Sequence, residues 1–261
     1  MLWARVFVAV GGIPILLLVA YLGSVWLLGV VAIISFLGLR EYHHLLRRLG
    51  LKPPVLIGYL GTLGILLAVY WQREFSTYLP FLLLWVFLGG FLLRFPRYSL
   101  ADIGATFLGC LYIPGSLAHL FLLRAGQSGS FGLLLYTFLL TWVSDTAAYF
   151  IGRGLGSRKL CPVLSPGKTW EGAWGAGVVT VAVGVLLGIY LFSLGGWRAL
   201  VLSFLITLAA QVGDLIESGM KRLAQVKDSS HLLPGHGGIL DRFDSLFLVA
   251  PVVYYFWKWL A

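Results

Sequence analysis

The sequence predicts an all-α, polytopic integral membrane protein with about nine transmembrane helices. Three observations predict it. First, 59% of the 261 residues are hydrophobic and only 11% are charged, against roughly 45–50% and 25% in an average soluble domain. A chain of this size has too little interior to hide so much apolar surface from water. Second, apolar runs near the length needed to cross a hydrocarbon core, roughly 20 residues, recur along the whole chain. Third, the basic residues gather on alternate connections between those runs. The same composition excludes a disordered chain, a disulfide scaffold and a free cytosolic enzyme. Cys110 and Cys161 form no metal-knuckle or disulfide pattern.

Taken in order, the spans read near 6–22, 24–39, 55–71, 78–93, 102–123, 131–151, 172–192, 197–212 and 241–260. The first two almost touch, but one helix over 6–39 would be about 51 Å long, too long for a core of about 30 Å. Gly23-Ser24 therefore marks a tight reversal. The first span resembles a signal peptide but lacks a small-residue cleavage site and is read as retained. Residues 1–125 form an N-terminal transmembrane scaffold of about five spans. Residues 126–261 form a C-terminal catalytic region with two long polar loops, 152–171 and 213–240. Residues 40–50 read as a basic amphipathic stretch on the interface, with His43 and His44 facing headgroups. His119 reads as a hydrogen-bonded interior histidine.

Alternating sides at every span puts 15 Lys and Arg on one side and 4 on the other. The richer side is the cytoplasmic one by the positive-inside rule. The net charge of +9 then has a topological meaning: basic loops hold to the cytoplasm and attract anionic headgroups, so no nucleic-acid partner is implied.

Seven of the ten acidic residues crowd onto the cytoplasmic end of the last four spans. Asp145 lies inside the end of span 6, Glu171 opens span 7, Asp214 and Glu217 close span 8, and Asp241 and Asp244 open span 9, with Asp228 between. Carboxylates in or beside lipid are costly unless they pair, bind metal or face a wet cavity. Asp214 and Glu217 are spaced i, i+3, as are Asp241 and Asp244, so each pair shares a helix face. Hard oxygen ligands from several elements suit Mg²⁺, which completes its shell with water and phosphate. The competing reading is a set of ion pairs with Lys221, Arg222, Lys227 and Arg242, which leaves the glycines unexplained.

Those glycines and cations complete the pattern. Ser165-Pro166-Gly167-Lys168-Thr169-Trp170-Glu171-Gly172 joins a turn, a cation and a hydroxyl at a helix N-terminus, an arrangement suited to an anion. It is not a Walker A loop, because Pro162 stands where the first glycine belongs. Gly152-Arg153-Gly154-Leu155-Gly156 is not a dinucleotide fingerprint, and Gly235-His236-Gly237-Gly238 brings bare backbone close to something just before Asp241. Carboxylates for metal, cations for phosphate and glycines for close approach describe phosphoryl or nucleotidyl transfer at the cytoplasmic face of a membrane.

At these residues the chain resembles the phosphatidate cytidylyltransferases, also called CDP-diacylglycerol synthases. Their long motif runs from Ser218 to Asp244: Ser218, Met220, Lys221-Arg222, Lys227-Asp228, Ser230, Leu233-Pro234, His236-Gly237-Gly238-Ile239, Asp241-Arg242-Phe243 and Asp244. Ser144-Asp145-Thr146-Ala147-Ala148-Tyr149, Lys159-Leu160 and Ser165 to Gly172 look like the family's other segments. The resemblance is strong over about 141–245, and the first five spans match only in being hydrophobic.

The resemblance implies a Mg²⁺-dependent reaction in which CTP and phosphatidate give CDP-diacylglycerol and diphosphate, with one or two divalent ions. It also implies a cell inner-membrane location with a cytoplasmic active site, phosphatidate drawn from the bilayer, and a homodimer. Asp214 and Asp241 are the first expected metal ligands, with Asp145 and Asp244 next. Glu171 and Glu217 act either as ligands or as orienters of cations. Lys168, Lys221, Arg222, Lys227 and Arg242 are expected to neutralise the triphosphate and lipid phosphate. Ser165, Thr169 and Ser218 donate hydrogen bonds, and Asp228, His236, Gly237 and Gly238 lie at the substrate. Two rival readings are a cytidylyltransferase acting on another phosphorylated lipid and a secondary transporter for an anionic solute. The transporter needs charges near the bilayer midplane, whereas these cluster at one face.

Overall fold

In a computed structural model, residues 2–71, 75–125, 131–230, 232 and 237–260 are described. The chain is all-α apart from one small hairpin among these residues. The helices are α1 (Leu2–Leu22), α2 (Ser24–Arg48), α3 (Val55–Tyr70), α4 (Phe75–Leu93) and α5 (Leu100–Cys110). A π-helical turn, Leu111–Gly115, joins α5 to α6 (Ser116–Ala125), and α7 covers Phe131–Leu155. The hairpin pairs β1 (Lys159–Cys161) with β2 (Ser165–Thr169) in antiparallel fashion, and α8 (Trp170–Tyr190), α9 (Gly196–Leu223) and α10 (Leu240–Leu260) follow.

A helix lies over each of the nine expected spans. Among the described residues, five helical stretches are long and apolar enough to cross a membrane: Ser24–Arg48, Leu100–Ala125, Phe131–Leu155, Trp170–Tyr190 and Gly196–Leu223. The protein is a polytopic, helical membrane protein. Its two compact units interleave along the chain. One comprises residues 1–122 and 220–242, the other 123–219 and 243–261.

In the first unit, the break expected between the first two spans falls at Gly23, whose φ of 63° lies in the left-handed region that glycine adopts without a Cβ penalty. The core gathers Leu27, Val31, Leu39, Leu45, Ile65, Phe87, Ile103 and Ile113, all buried. Asp102 starts α5 through a capping box with Ser99 and also accepts from the Lys52 amide at 2.6 Å. The stretch 40–50 differs from its expected interfacial placement. It continues α2 to Arg48, and Glu41, Tyr42 and His43 are buried. Tyr42 reaches inward to donate to the Ala105 carbonyl at 3.1 Å. Each of the three turns inward for its own reason, Glu41 to hydroxyl and amide donors from residues 229–240 and His43 against Gly58, and contacts this distant in sequence leave no local signal. His44 is exposed and accepts from Arg48 Nε. His119, as expected, is hydrogen-bonded, its Nδ1 2.8 Å from the Gly115 carbonyl at the end of the π-helical turn.

The second unit packs α7, α8, α9 and α10 around Leu133, Tyr136, Leu140, Leu202, Ile206, Val249 and Val253. Tyr136 carries the polar lock of this core: its hydroxyl donates to the Gly184 carbonyl at 2.9 Å and lies 2.9 Å from Ser203 Oγ. Both long loops are shorter than expected, because helix continues past the apolar runs. α7 extends to Leu155, β1 and β2 occupy most of 159–169, and α9 runs on to Leu223. The ends of α7 and α9 carry glycine and charged residues, Arg153 on one and Asp214, Glu217, Lys221 and Arg222 on the other, which a search for apolar runs misses.

Candidate functional site

The expected site residues form two clusters, one in each unit. In the second unit, α9 presents Asp214, Glu217 and Ser218, α7 presents Asp145, α10 presents Asp244, and β2 carries Lys168. Lys168 Nζ stands 2.8 Å from Asp214 Oδ2, and Ser218 Oγ, one turn along α9, donates to Asp214 Oδ1 at 3.3 Å. Asp145 is close enough to Asp214 and Lys168 to feel repulsion from one and attraction from the other. Ser245 Oγ lies 3.4 Å from Asp145 Oδ1, and the Ser245 amide donates to Asp244 Oδ1 at 2.7 Å. Glu217 is buried, at 1% exposure. Gly213 holds this arrangement together: a Cβ there would stand 2.5 Å from the Asp244 carbonyl oxygen. Only a bare backbone lets α9 and α10 approach so closely at the level of Asp214.

The hairpin beside this cluster is built more firmly than its glycine and proline suggest. Ser165 pairs with Cys161 and Thr169 with Lys159 across the strands. Thr169 is the N-cap of α8, its hydroxyl accepting from the Gly172 amide at 3.2 Å. Glu171 accepts from Ser157 Oγ at 2.7 Å and from the Ser157 and Arg158 amides. Glu171 therefore ties the chain after α7 to the start of α8.

In the first unit the central pair is Lys221 with Asp241. The ammonium lies 2.6 Å from Asp241 Oδ1, and the two side chains are 14% and 6% exposed. Each sits where the helix dipole favours it, Lys221 in the last turn of α9 and Asp241 in the first turn of α10. Asp241 Oδ2 accepts three further bonds, from Gly238 N at 2.8 Å, Ser229 N at 2.9 Å and Ser229 Oγ at 2.8 Å. The bare backbone before Asp241 thus approaches the chain's own carboxylates. Gly237 has φ +84° and a Cβ there would stand 2.8 Å from Asp241 Oδ2; a Cβ on Gly238 would collide with Ser229 Oγ and Glu41. Arg222, Lys227, Asp228 and Arg242 are exposed, Arg222 reaching the Val226 carbonyl at 3.5 Å. His236 lies outside the described residues.

Glu41 was not among the expected site residues. It is 5% exposed and accepts from Ser229 Oγ, Ser230 Oγ, Ile239 N and Leu240 N at 2.9, 2.5, 2.9 and 2.9 Å. One signal in the sequence pointed to it: a carboxylate inside a long helix otherwise flanked by basic residues.

Paired carboxylates and lysines, hydroxyl donors and glycine-tight backbone on a polytopic helical chain are the groups a membrane enzyme acting on phosphates would need. The model of the cytidylyltransferase family matches residues 3–260. A phosphatidate cytidylyltransferase of Staphylococcus saprophyticus is 33% identical over 253 residues, covering 95% of this chain and 96% of that one. One from Brucella suis biovar 1 is 39% identical over 191 residues, 66% of this chain and 71% of its own. Another, from Staphylococcus haemolyticus, is 39% identical over 158 residues, 60% of each chain. The chain belongs to the cytidylyltransferase family.

Proposed function

We propose that this protein is a phosphatidate cytidylyltransferase, converting CTP and phosphatidate to CDP-diacylglycerol and diphosphate at the cytoplasmic face of the inner membrane. The observation that carries this reading is the match over 95% of the chain to a relative of that name. A phosphatidate oxygen attacks the α-phosphorus of CTP, a new P–O bond forms, and the bond to the β-phosphate oxygen breaks with its electron pair leaving on diphosphate. The nucleophile is already an anion, so no strong general base is required. The enzyme's task is to hold two mutually repelling anions together in line.

The chain's own side chains fit that task. Lys168 and Lys221 are each neutralised by an aspartate, at 2.8 and 2.6 Å. A phosphate group offers either ammonium more negative charge and more acceptor oxygens than one carboxylate does. Each lysine can then bind phosphate within its own unit, Lys168 in the second and Lys221 in the first, where Arg222, Lys227 and Arg242 supply further positive charge. Ser165 and Ser218 supply hydroxyl donors, while Thr169 and Glu171 keep the hairpin and α8 in register.

A hard divalent cation suits the carboxylates that this exchange releases. Among the described residues, no three His, Cys, Asp or Glu side chains form a ready cage. Mg²⁺ does not require one, since it binds through one or two carboxylates and fills its shell from water and phosphate. Asp214, with Asp145 near it, would hold the ion in the second unit. At Asp241 a cation would compete with Lys221 for Oδ1. When bound, the ion neutralises triphosphate charge and polarises the reacting phosphorus.

The test is a detergent-micelle assay with CTP, phosphatidate and Mg²⁺, following lipid-linked CMP and diphosphate together. The expected result is equal amounts of both, lost in Asp214→Asn and with EDTA. Folded protein that releases diphosphate only with another phosphorylated lipid would replace phosphatidate as substrate. Turnover unaffected by EDTA would remove the metal.

A further inference from the structure

We infer that Glu41 is a positioning residue for Lys221, acting through Ser229 and Asp241. The inference rests on the reading of Lys221 as a phosphate-binding group. A buried carboxylate is tolerated only when its lone pairs are well supplied with donors. Glu41 takes four, two hydroxyls and two backbone N–H groups, three from the segment between α9 and α10 and one from Leu240, the first residue of α10. Ser229 and Ser230 enter from one end of that segment, Ile239 and Leu240 from the other. Glu41 therefore ties both ends together and caps the start of α10, where Asp241 sits.

Ser229 links the two carboxylates. Its hydroxyl has one proton and lies 2.9 Å from Glu41 Oε2 and 2.8 Å from Asp241 Oδ2, so the acids share a single donor. Its amide adds a bond to Asp241 at 2.9 Å. Gly238 closes the cluster, leaving no room for a side chain between Ser229 and Glu41. A shift of Glu41 thus moves Ser229 and the first turn of α10, and with them the carboxylate that fixes Lys221 at 2.6 Å. Glu41 touches no reacting atom; its effect travels through the aspartate.

Glu41→Gln tests this with little change of size. An amide accepts at one oxygen only, so its NH₂ must face the N–H of either Ile239 or Leu240, and neither backbone donor can turn away. The expected kcat/KM falls roughly tenfold or more, the effect of one lost charge-assisted hydrogen bond. In a Lys221→Ala background the same change costs less than about twofold, because the group it positions is gone. Losses that multiply would overturn the inference, since a purely structural role predicts them. A second readout needs no substrate: acylation of Lys221 by an amine reagent, followed by peptide mass spectrometry with exposed Lys159 as internal control. Lys221 labelling rises severalfold in Glu41→Gln, and also in Ser229→Ala, which removes only the shared hydroxyl and serves if Glu41→Gln does not fold. Unchanged labelling in a folded variant would overturn the link. If the unmodified enzyme makes no CDP-lipid, the proposed function fails, while the labelling comparison still decides the role of Glu41.

Discussion

Gly213→Ala places a methyl group where the second unit has no space. The added Cβ would lie 2.5 Å from the Asp244 carbonyl oxygen, 3.2 Å from Ser245 Cα and 3.3 Å from Asp244 C. All three are backbone atoms of α10, so no side chain can swing aside. Ordinary contact begins near 3.4 Å, and the two helices must separate locally by about 0.9 Å. Overpacking of this kind costs about 1–3 kcal/mol, offset by up to ~1 kcal/mol from replacing glycine in a helix. The net loss of stability is about 0–3 kcal/mol. The effect on chemistry is larger. Asp214 is the next residue on α9, while Asp244 and the Ser245 hydroxyl beside Asp145 ride on α10. A displacement of about 1 Å at a reacting centre costs ~100-fold, so diphosphate release per folded molecule falls about 10- to 100-fold. The assay pairs that rate with thermal unfolding in the same detergent. Gly177→Ala is the control, since a Cβ there meets nothing within 4 Å; it leaves turnover unchanged. Normal turnover and unfolding temperature in Gly213→Ala would refute the reasoning, as would equal damage from both substitutions.

Two further outcomes follow from the geometry. Lys221→Ala lowers kcat/KM by about 100-fold or more but leaves folding nearly intact, because Asp241 keeps its bonds from Ser229 and Gly238; steady-state kinetics alongside thermal unfolding check it, and normal kinetics would remove Lys221 from the site. Tyr136→Phe does the reverse: it deletes the hydroxyl shared with Gly184 and Ser203 in a fully buried position, lowering stability by about 1–2 kcal/mol without changing turnover per folded molecule. An altered turnover at unchanged stability would show that this core lock reaches the chemistry.

Much of the fold was legible because it is written in local patterns. Apolar runs of membrane-spanning length located the helices, and the break at Gly23 followed from length alone. Helix ends were less legible. α7 and α9 continue into polar sequence, so Asp214, Lys221 and Arg222 stand on helix rather than loop. The crowding of acids and the motif between Ser218 and Asp244 marked the right segments, and the spacing of Asp214 and Ser218 on one helical face is visible from the numbering. The partners of those acids were not. Lys168 meets Asp214 across the turn from β2 and α8 to α9, and Glu41 meets Ser229 from 188 residues away.

By itself, then, the sequence determined the solvent, the helices and the chemical inventory: how much surface must face lipid, where the chain can cross it, and which acids, cations and glycines gather in the last spans. These follow from composition and short-range periodicity, which act before any tertiary contact exists. Only the tertiary structure decided which acid holds which cation, that Glu41 turns inward rather than to the interface, and that Gly213 lets two helices meet beside Asp214. The reason is physical. A carboxylate is equally able to bind metal, pair with lysine or cap a helix, and its choice depends on which donors the folded chain brings within about 3 Å.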